Sequence, residues 1–193
     1  MREFVIAVLG LTLCSFTALA GAPNPVFCEV TPADFLNGLF MAPLVPASAP
    51  ASINLITVRN SSNNTIANAV VTVFLTERNV ICGSTILTAV TDANGRATIT
   101  LGGGGCADGV PLSGVIKANG TTIRAYENVK SSDYDGLGGD LDIDLADLIA
   151  FAAAFLGPTG SGGCHDYNND GDVGLPELVM FSGIFINRSS CAP

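Results

Sequence analysis

The sequence contains no tryptophan, a single histidine and few basic residues. Eight Lys or Arg residues stand against 17 Asp or Glu residues in 193, which gives a formal net charge of −9. Because no basic residues cluster to meet phosphates, nucleic acid is not expected as a partner. The lack of tryptophan platforms also argues against glycoside hydrolysis by paired carboxylates. Beyond the N-terminal segment no run of about 18 apolar residues occurs, so we expect no membrane span in the mature chain.

The first 20 residues are typical of a secretory signal peptide. Arg2 supplies a positive start, Phe4–Leu13 is apolar, and Ala18–Ala20 is a small-x-small cleavage site before Gly21. The apolar run is too short to cross a membrane. We therefore expect a secreted protein at the cell surface or in the extracellular medium.

Five cysteines follow the predicted cleavage site, and exported proteins usually pair their cysteines. We expect Cys82–Cys106 to form within the central domain and Cys164–Cys191 to form around the acidic C-terminal region. Cys28 is then left over, as a free thiol or an intermolecular bridge. A structural zinc site is the alternative, but the chain has no CxxC or HxxxH spacing.

Residues 166–177, called loop 2 below, match a calcium-binding loop of the EF-hand type. Such a loop has oxygen ligands at its first, third and fifth positions, a backbone carbonyl at the seventh and a bidentate carboxylate at the twelfth. Gly171 occupies the sixth position, where the chain turns sharply. The alternative, an acidic solvated turn, explains neither the glycine nor the terminal glutamate. The predicted calcium ligands are Asp166, Asn168, Asp170, Asp172 and Glu177.

An upstream segment repeats this region at a constant offset of 30 residues, Asp142–Phe155 matching Asp172–Phe185. Such a repeat implies two equivalent structural units packed together. Apolar residues at three- and four-residue spacing predict a short amphipathic helix after each loop. These core positions are Leu148, Phe151 and Phe155 in the first copy, and Leu178, Phe181 and Phe185 in the second.

The corresponding first loop, residues 133–147 and called loop 1 below, is longer. It spans 15 residues against 12 in loop 2, and Gly136–Gly139 has the composition of an insertion. Its last ligand is an aspartate, one methylene shorter than the glutamate of loop 2. The predicted ligands of loop 1 are Asp133, Asp135, Asp140, Asp142 and Asp147.

A duplicated calcium loop, each copy followed by a single short helix, resembles a dockerin domain. The resemblance covers about residues 131–193. It implies Ca²⁺ as the cofactor and a cohesin-like or cell-surface protein as the partner. Ten of the 17 acidic residues lie in 133–177, where no Lys or Arg occurs, and a divalent cation would neutralise that concentration of charge.

Residues 52–130 are predicted to form an Ig-like β-sandwich. Short alternating strands recur at roughly ten-residue spacing, with hairpin turns expected at Asn94-Gly95 and Asn119-Gly120. The segment Thr91–Ala97 resembles bacterial Ig-like modules. Gly102–Gly105 is expected to be a flexible loop rather than a phosphate-binding loop, since no lysine or helix follows.

Residues 21–51 are rich in proline and alanine and are expected to form an arm or linker, with a brief helix from Thr31 through Leu39. The predicted architecture is therefore a mainly β Ig-like sandwich at 52–130 followed by a small α-helical, dockerin-like module at 131–193.

The sequence offers no persuasive catalytic set. His165 lies between Cys164 and Asp166, but no Gly-x-Ser-x-Gly elbow is present, and a loop-flanking role for the histidine is favoured. We expect a non-catalytic protein that docks to a partner in a calcium-dependent manner. The alternative is an accessory or carbohydrate-binding subunit of an extracellular polysaccharide-degrading complex. Aromatic residues are scarce in the sandwich, with only Phe74 between Ile53 and Ala125, which favours the first interpretation.

Overall fold

The computed structural model describes residues 21–32, 38–44, 49–136, 138–158 and 163–191. Within these ranges the chain is mostly β-sheet, with two α-helices near its C-terminal end. The predicted signal peptide lies outside the described residues. No helix in the described part of the chain is long and apolar enough to cross a membrane.

Eleven strands are present in the described residues. They are Glu29–Thr31 (β1), Gly38–Met41 (β2), Ile53–Thr57 (β3), Val70–Leu75 (β4), Asn79–Ile81 (β5), Thr88–Val90 (β6), Arg96–Thr100 (β7), Gly103–Ala107 (β8), Gly114–Ala118 (β9), Thr121–Tyr126 (β10) and Asn128–Ser131 (β11). The helices are Leu145–Phe155 (α1) and Leu175–Ile186 (α2).

The strands form three sheets, in the orders β1-β3-β7, β10-β9-β4-β6 and β2-β11-β8-β5. All pairs are antiparallel except β2 with β11. Alternate residues of the strands, such as Val71 and Val73 of β4, point into one apolar core. This arrangement is compatible with a β-sandwich.

The two predicted turns behave differently. Asn119 and Gly120 have positive φ angles of 46° and 80° and join β9 to β10 as a hairpin, as predicted. The turn ending at Gly95 also forms, but β6 pairs with β4 and β7 pairs with β3. The second turn therefore links two sheets, because the chain crosses the core there instead of folding back on itself.

The segment expected to be an arm or linker supplies two strands. β1 pairs with β3, and β2 runs parallel to β11. Leu39 lies in β2 and not in a helix, and residues 33–37 of the predicted helix lie outside the described residues. The physical reason is the run Leu39–Ala42, whose apolar side chains are all buried.

Gly102–Gly105 is not a flexible loop either, since β8 begins at Gly103 and is buried between β5 and β11. Glycine is needed because loop 1 lies directly on this strand. A Cβ atom at Gly104 would overlap Asp133 Oδ2. The Gly105 N–H donates a hydrogen bond of 2.8 Å to the Asp133 carbonyl oxygen.

The predicted disulfide pairing is wrong. The bonds are Cys82–Cys191 and Cys106–Cys164, and each joins the β region to the acidic C-terminal region. The expectation that Cys28 is left over is confirmed, and this cysteine is free and buried. Pairing by nearness in sequence failed because the C-terminal region packs on the sheet instead of standing apart from it.

Candidate metal site

In loop 2 the first predicted ligand organises the turn. Asp166 Oδ1 accepts a hydrogen bond from the Asp170 N–H at 3.1 Å, and Oδ2 accepts one from the Gly171 N–H at 3.0 Å. Gly171 has φ 95°, the left-handed conformation that is easily reached by glycine. The sharp turn predicted at the sixth position is therefore present.

The next ligands of loop 2 continue the same pattern. Asn168 Oδ1 accepts from the Asp170 N–H at 2.9 Å, and Asp170 Oδ1 accepts from the Asp172 N–H at 3.0 Å. Each side-chain oxygen thus bonds the backbone two residues later, which curls the loop around its own acidic side chains. Asp170 and Asp172 are exposed at the surface.

Loop 1 repeats this hydrogen-bond pattern despite its extra length. Asp133 Oδ1 accepts from the Asp140 N–H at 3.0 Å, and Oδ2 accepts from the Leu141 N–H at 2.8 Å. Asp140 and Leu141 are therefore the counterparts of Asp170 and Gly171. Leu141 even has a positive φ of 75°.

The added length of loop 1 is confined to the stretch between Asp133 and Asp140, the counterpart of Asp170. There Asp135 Oδ1 accepts from the Gly138 N–H at 3.3 Å. Beyond the insertion the spacing of loop 2 is restored, and Asp140 Oδ1 accepts from the Asp142 N–H at 3.2 Å. The insertion leaves the ligand spacing that follows unchanged.

The last position of both loops is a buried carboxylate in the first turn of a helix. Asp147 Oδ2 accepts from the Asp144 N–H at 2.9 Å, and Glu177 Oε2 accepts from the Gly174 N–H at 2.8 Å. Glu177 is fully buried, and its other oxygen, Oε1, has no hydrogen-bond partner in the described structure. A buried carboxylate oxygen without a donor is costly, and a bound cation would satisfy it.

The two helices pack through equivalent residues of the repeat. The rings of Phe151 and Phe181 stack with centroids 4.6 Å apart and planes 1° apart, and Phe155 and Phe185 extend the stack on each side. The predicted helices and their apolar core positions are confirmed, with Leu148 and Leu178 packed at the edge of the cluster. The two loops are thereby held as a pair.

Burial makes loop 1 electrostatically unfavourable in the absence of a cation. Burial raises the pKa of Asp133 to about 7, with the charges of Asp147 and Asp140 adding to the effect against two backbone hydrogen bonds that lower it. Burial likewise raises the pKa of Asp147 to about 6, helped by Asp140 and Asp144. A divalent ion would neutralise this negative charge, and its binding would therefore be favoured.

His165 is a core residue and not an exposed catalytic base. It is buried, its ring packs against those of Phe151 and Tyr134, and burial lowers its pKa to about 4. The neighbouring Cys164 is bonded to Cys106, so it has no thiol to act as a nucleophile. The loop-flanking position predicted for the histidine is correct, but its burial was not foreseen.

As the side chains stand, no group of three or more His, Cys, Asp or Glu residues in the described ranges is arranged to hold a metal ion. The carboxylate oxygens instead accept hydrogen bonds from the backbone of their own loops. The structure therefore brings each predicted set of ligands into one loop without converging its acidic side chains on one point.

Sequence reasoning missed two residues beneath the loops. Tyr167 is fully buried, its ring centroid lies 5.1 Å from that of Phe40 in β2, and its pKa is raised well above the ordinary value by burial and by Asp147 and Glu177. Lys130, in β11, contacts Asp166. In the sequence, the only sign of this role was that Lys130 lies three residues before Asp133. The contact with Asp166 becomes evident only once the pairing of the strands is known.

A scan against protein-family models found no match to this chain. A search of curated proteins found no match either.

Proposed function

We propose that this chain is a secreted, non-catalytic calcium-binding protein in which two dockerin-like loops each bind Ca²⁺. The observation that carries the proposal is the hydrogen-bond pattern shared by the loops. In loop 2 the first carboxylate accepts from the fifth and sixth N–H groups and the twelfth carboxylate accepts from the ninth, and the counterparts of these groups in loop 1 pair in the same way. A chance acidic turn would not be repeated in this way across an insertion.

The donor set fits calcium better than a softer metal. All the predicted ligands offer oxygen, which is the atom that Ca²⁺ prefers, in a loop that can supply carboxylate, amide and backbone oxygens together. The partnerless Glu177 Oε1 supports the same assignment, because the twelfth residue of such a loop is expected to bind with both oxygens. Bound calcium would relieve the repulsion among the buried carboxylates.

We further propose that the helices present a docking surface for a protein on a cell surface or scaffold. Outward-facing apolar residues recur in pairs at the 30-residue offset, and all are between 63% and 81% exposed. Spacings of four and seven residues place the three members of each set on one side of a helix. The pairs are Leu145 and Leu175, Ile149 and Val179, and Leu156 and Ile186.

Export of the protein and an Ig-like architecture complete the proposal. Two disulfides are expected of a protein from an oxidising compartment, which supports export. The sheets would form an Ig-like sandwich that carries the calcium-binding pair. Neither His165, enclosed by aromatic rings, nor the oxidised Cys164 supports a catalytic role.

Isothermal titration of calcium into the EDTA-treated, oxidised protein tests the site assignment. The unaltered protein should bind two ions, and Glu177→Gln should bind one, because the amide cannot supply the bidentate carboxylate. Glu29→Gln is the matched control, since it makes the same change at an exposed position of β1 away from the loops. Loss of no ion in Glu177→Gln, or equal loss in both variants, would contradict the assignment.

A further inference from the structure

A buried ammonium group lies against the first ligand of loop 2. The Lys130 side chain, in β11, is only 3% exposed. Its Nζ donates a hydrogen bond of 2.9 Å to the backbone carbonyl of Asp166 and lies 3.8 Å from Asp166 Oδ2. On another side, Asp108 Oδ1 is 3.0 Å away. The ammonium group thus connects the sheet to the start of the calcium loop.

Such a cation is unusual in a sheet interior. Removing an ammonium group from water costs several kcal/mol unless partners of opposite charge and hydrogen bonds offset the loss, and an apolar side chain usually serves a strand equally well. The contacts of Lys130 go to Asp108 and to Asp166. Asp108 follows directly after β8 and Asp166 begins loop 2, so the ammonium group lies between the sheet and the loop and contacts an acidic residue of each.

The neighbouring strand anchors the same loop. Lys130 is directly opposite Cys106 of β8, and Cys106 is bonded to Cys164, two residues before Asp166. The disulfide from β8 and the Lys130 contacts from β11 therefore both attach to the start of loop 2. The start of loop 2 is held against the sheet whether or not a metal ion is present.

We propose that Lys130 is a built-in counter-cation for loop 2, which rests on the proposed binding of calcium by that loop. Without calcium, its positive charge compensates Asp166 and positions the loop. With calcium bound, the same charge repels the ion, so Lys130 lowers the affinity of loop 2 below the value that the ligands alone would give. Loop 1 differs, because Asp133 has the acidic neighbours Asp140 and Asp147.

The test isolates loop 2 by disabling loop 1 with Asp140→Ala and Asp142→Ala, which remove the side-chain oxygens at two exposed positions. In this background, calcium affinity is measured by calorimetry and the melting temperature is measured in EDTA. Lys130→Met should tighten calcium binding about tenfold, since a unit charge near the ion is removed. The same variant should melt at a lower temperature in EDTA, because Asp166 loses its counter-charge.

The expected changes in calcium affinity and in melting temperature have opposite signs. Loss of a simple structural anchor would instead lower both the calcium affinity and the melting temperature. Lys117→Met is the matched control, because Lys117 contacts the Phe74 ring on β4 and does not contact the loops. Its effect on calcium affinity should stay within about twofold. Weaker calcium binding by Lys130→Met would overturn the proposal.

Asp108→Asn provides an independent variant should Lys130→Met fail to fold. The Asp108 side chain is 44% exposed, so its replacement is compatible with folding. It leaves the charge of Lys130 less compensated, and the affinity of loop 2 should then fall. Unchanged or tighter binding would contradict the proposal.

The failure of the proposed function and the failure of the Lys130 role give different results. If the background protein binds no calcium at loop 2, the proposed function fails as well. Calcium binding that is insensitive to these variants overturns the role of Lys130 alone.

Discussion

At the scale of single residues, the two loops hold equivalent carboxylates in different electrostatic surroundings. Asp166 lies beside the Lys130 ammonium group, whereas Asp133 lies near Asp140 and Asp147. The backbone hydrogen bonds to the two first ligands nevertheless follow the same pattern. Charge in loop 1 must therefore be relieved by protons or by a metal ion, while loop 2 has a cation of its own.

This difference predicts the pH dependence of the metal-free protein. The folded pKa values of Asp133, about 7, and Asp147, about 6, lie above the ordinary value of 3.8. As the pH falls, the folded state therefore binds protons at a higher pH than the unfolded state does, and this preferential protonation stabilises the fold. The stabilisation is lost as the pH rises through 6 and 7. His165, at about 4 against 6.5, acts in the opposite sense. In EDTA, the free energy of unfolding in urea should be about 1 kcal/mol greater at about pH 5 than at about pH 8.

Asp133→Asn serves as the control for that measurement, because the amide has no titrating proton. The variant should lose most of the increase in the free energy of unfolding at the lower pH. An unaltered protein that is less stable at the lower pH would contradict the assignment of protons to loop 1.

At the scale of elements, the loops dock on the sheet through positions that have no side chain. A Cβ at Gly104 would overlap the carboxylate of Asp133, and a Cβ at Gly38 would overlap the side chain of Asn169. β8 and β2 thus lie close beneath loop 1 and loop 2. These glycines determine how near the two loops approach the sheet.

Gly104→Ala should destabilise the protein by about 1–3 kcal/mol, because the added methyl group must displace Asp133. Calcium binding should weaken at loop 1 and remain unchanged at loop 2, as measured by calorimetry alongside urea unfolding. Gly83→Ala is the matched control, since its Cβ would meet nothing within 4 Å. Equal effects of the two substitutions would refute the close docking of loop 1 on β8.

The sequence predicted the elements whose causes are local. The spacing of loop 2, the left-handed position of Gly171 and the apolar periodicity of Phe151 and Phe181 depend on neighbours within one or two turns, and the structure agrees. The roles of Gly104 and Lys130 depend on strands that approach from elsewhere in the chain. Local patterns cannot supply such pairings, which is why β8 was mistaken for a flexible loop.

At the scale of the whole molecule, the β region and the region of the two acidic loops are joined by more than a linker. Both disulfides connect them, and Phe40 and Ala42 from the N-terminal part of the chain belong to the core of the helical pair. The sequence suggested two domains because a pattern of short strands at 52–130 is followed by a duplicated loop and helix at 131–193. The long-range cysteine pairing could not be deduced from spacing.

Joined in this way, the protein should unfold as one unit. Differential scanning calorimetry of the oxidised protein should show a single transition, and calcium should raise its midpoint. Two transitions, with only one moved by calcium, would show that the regions are independent. Replacing Cys106 and Cys164 by serine should cost about 4 kcal/mol and separate the transitions, since this bond closes a loop of 58 residues.

The central claim is that this fold holds two calcium ions in paired loops. Native mass spectrometry of the oxidised protein, desalted and then supplied with calcium, counts the ions directly. The account predicts that two ions are bound to the unaltered protein and that both are lost when EDTA is added. A protein that binds no calcium under these conditions, while retaining both disulfides, would contradict the account.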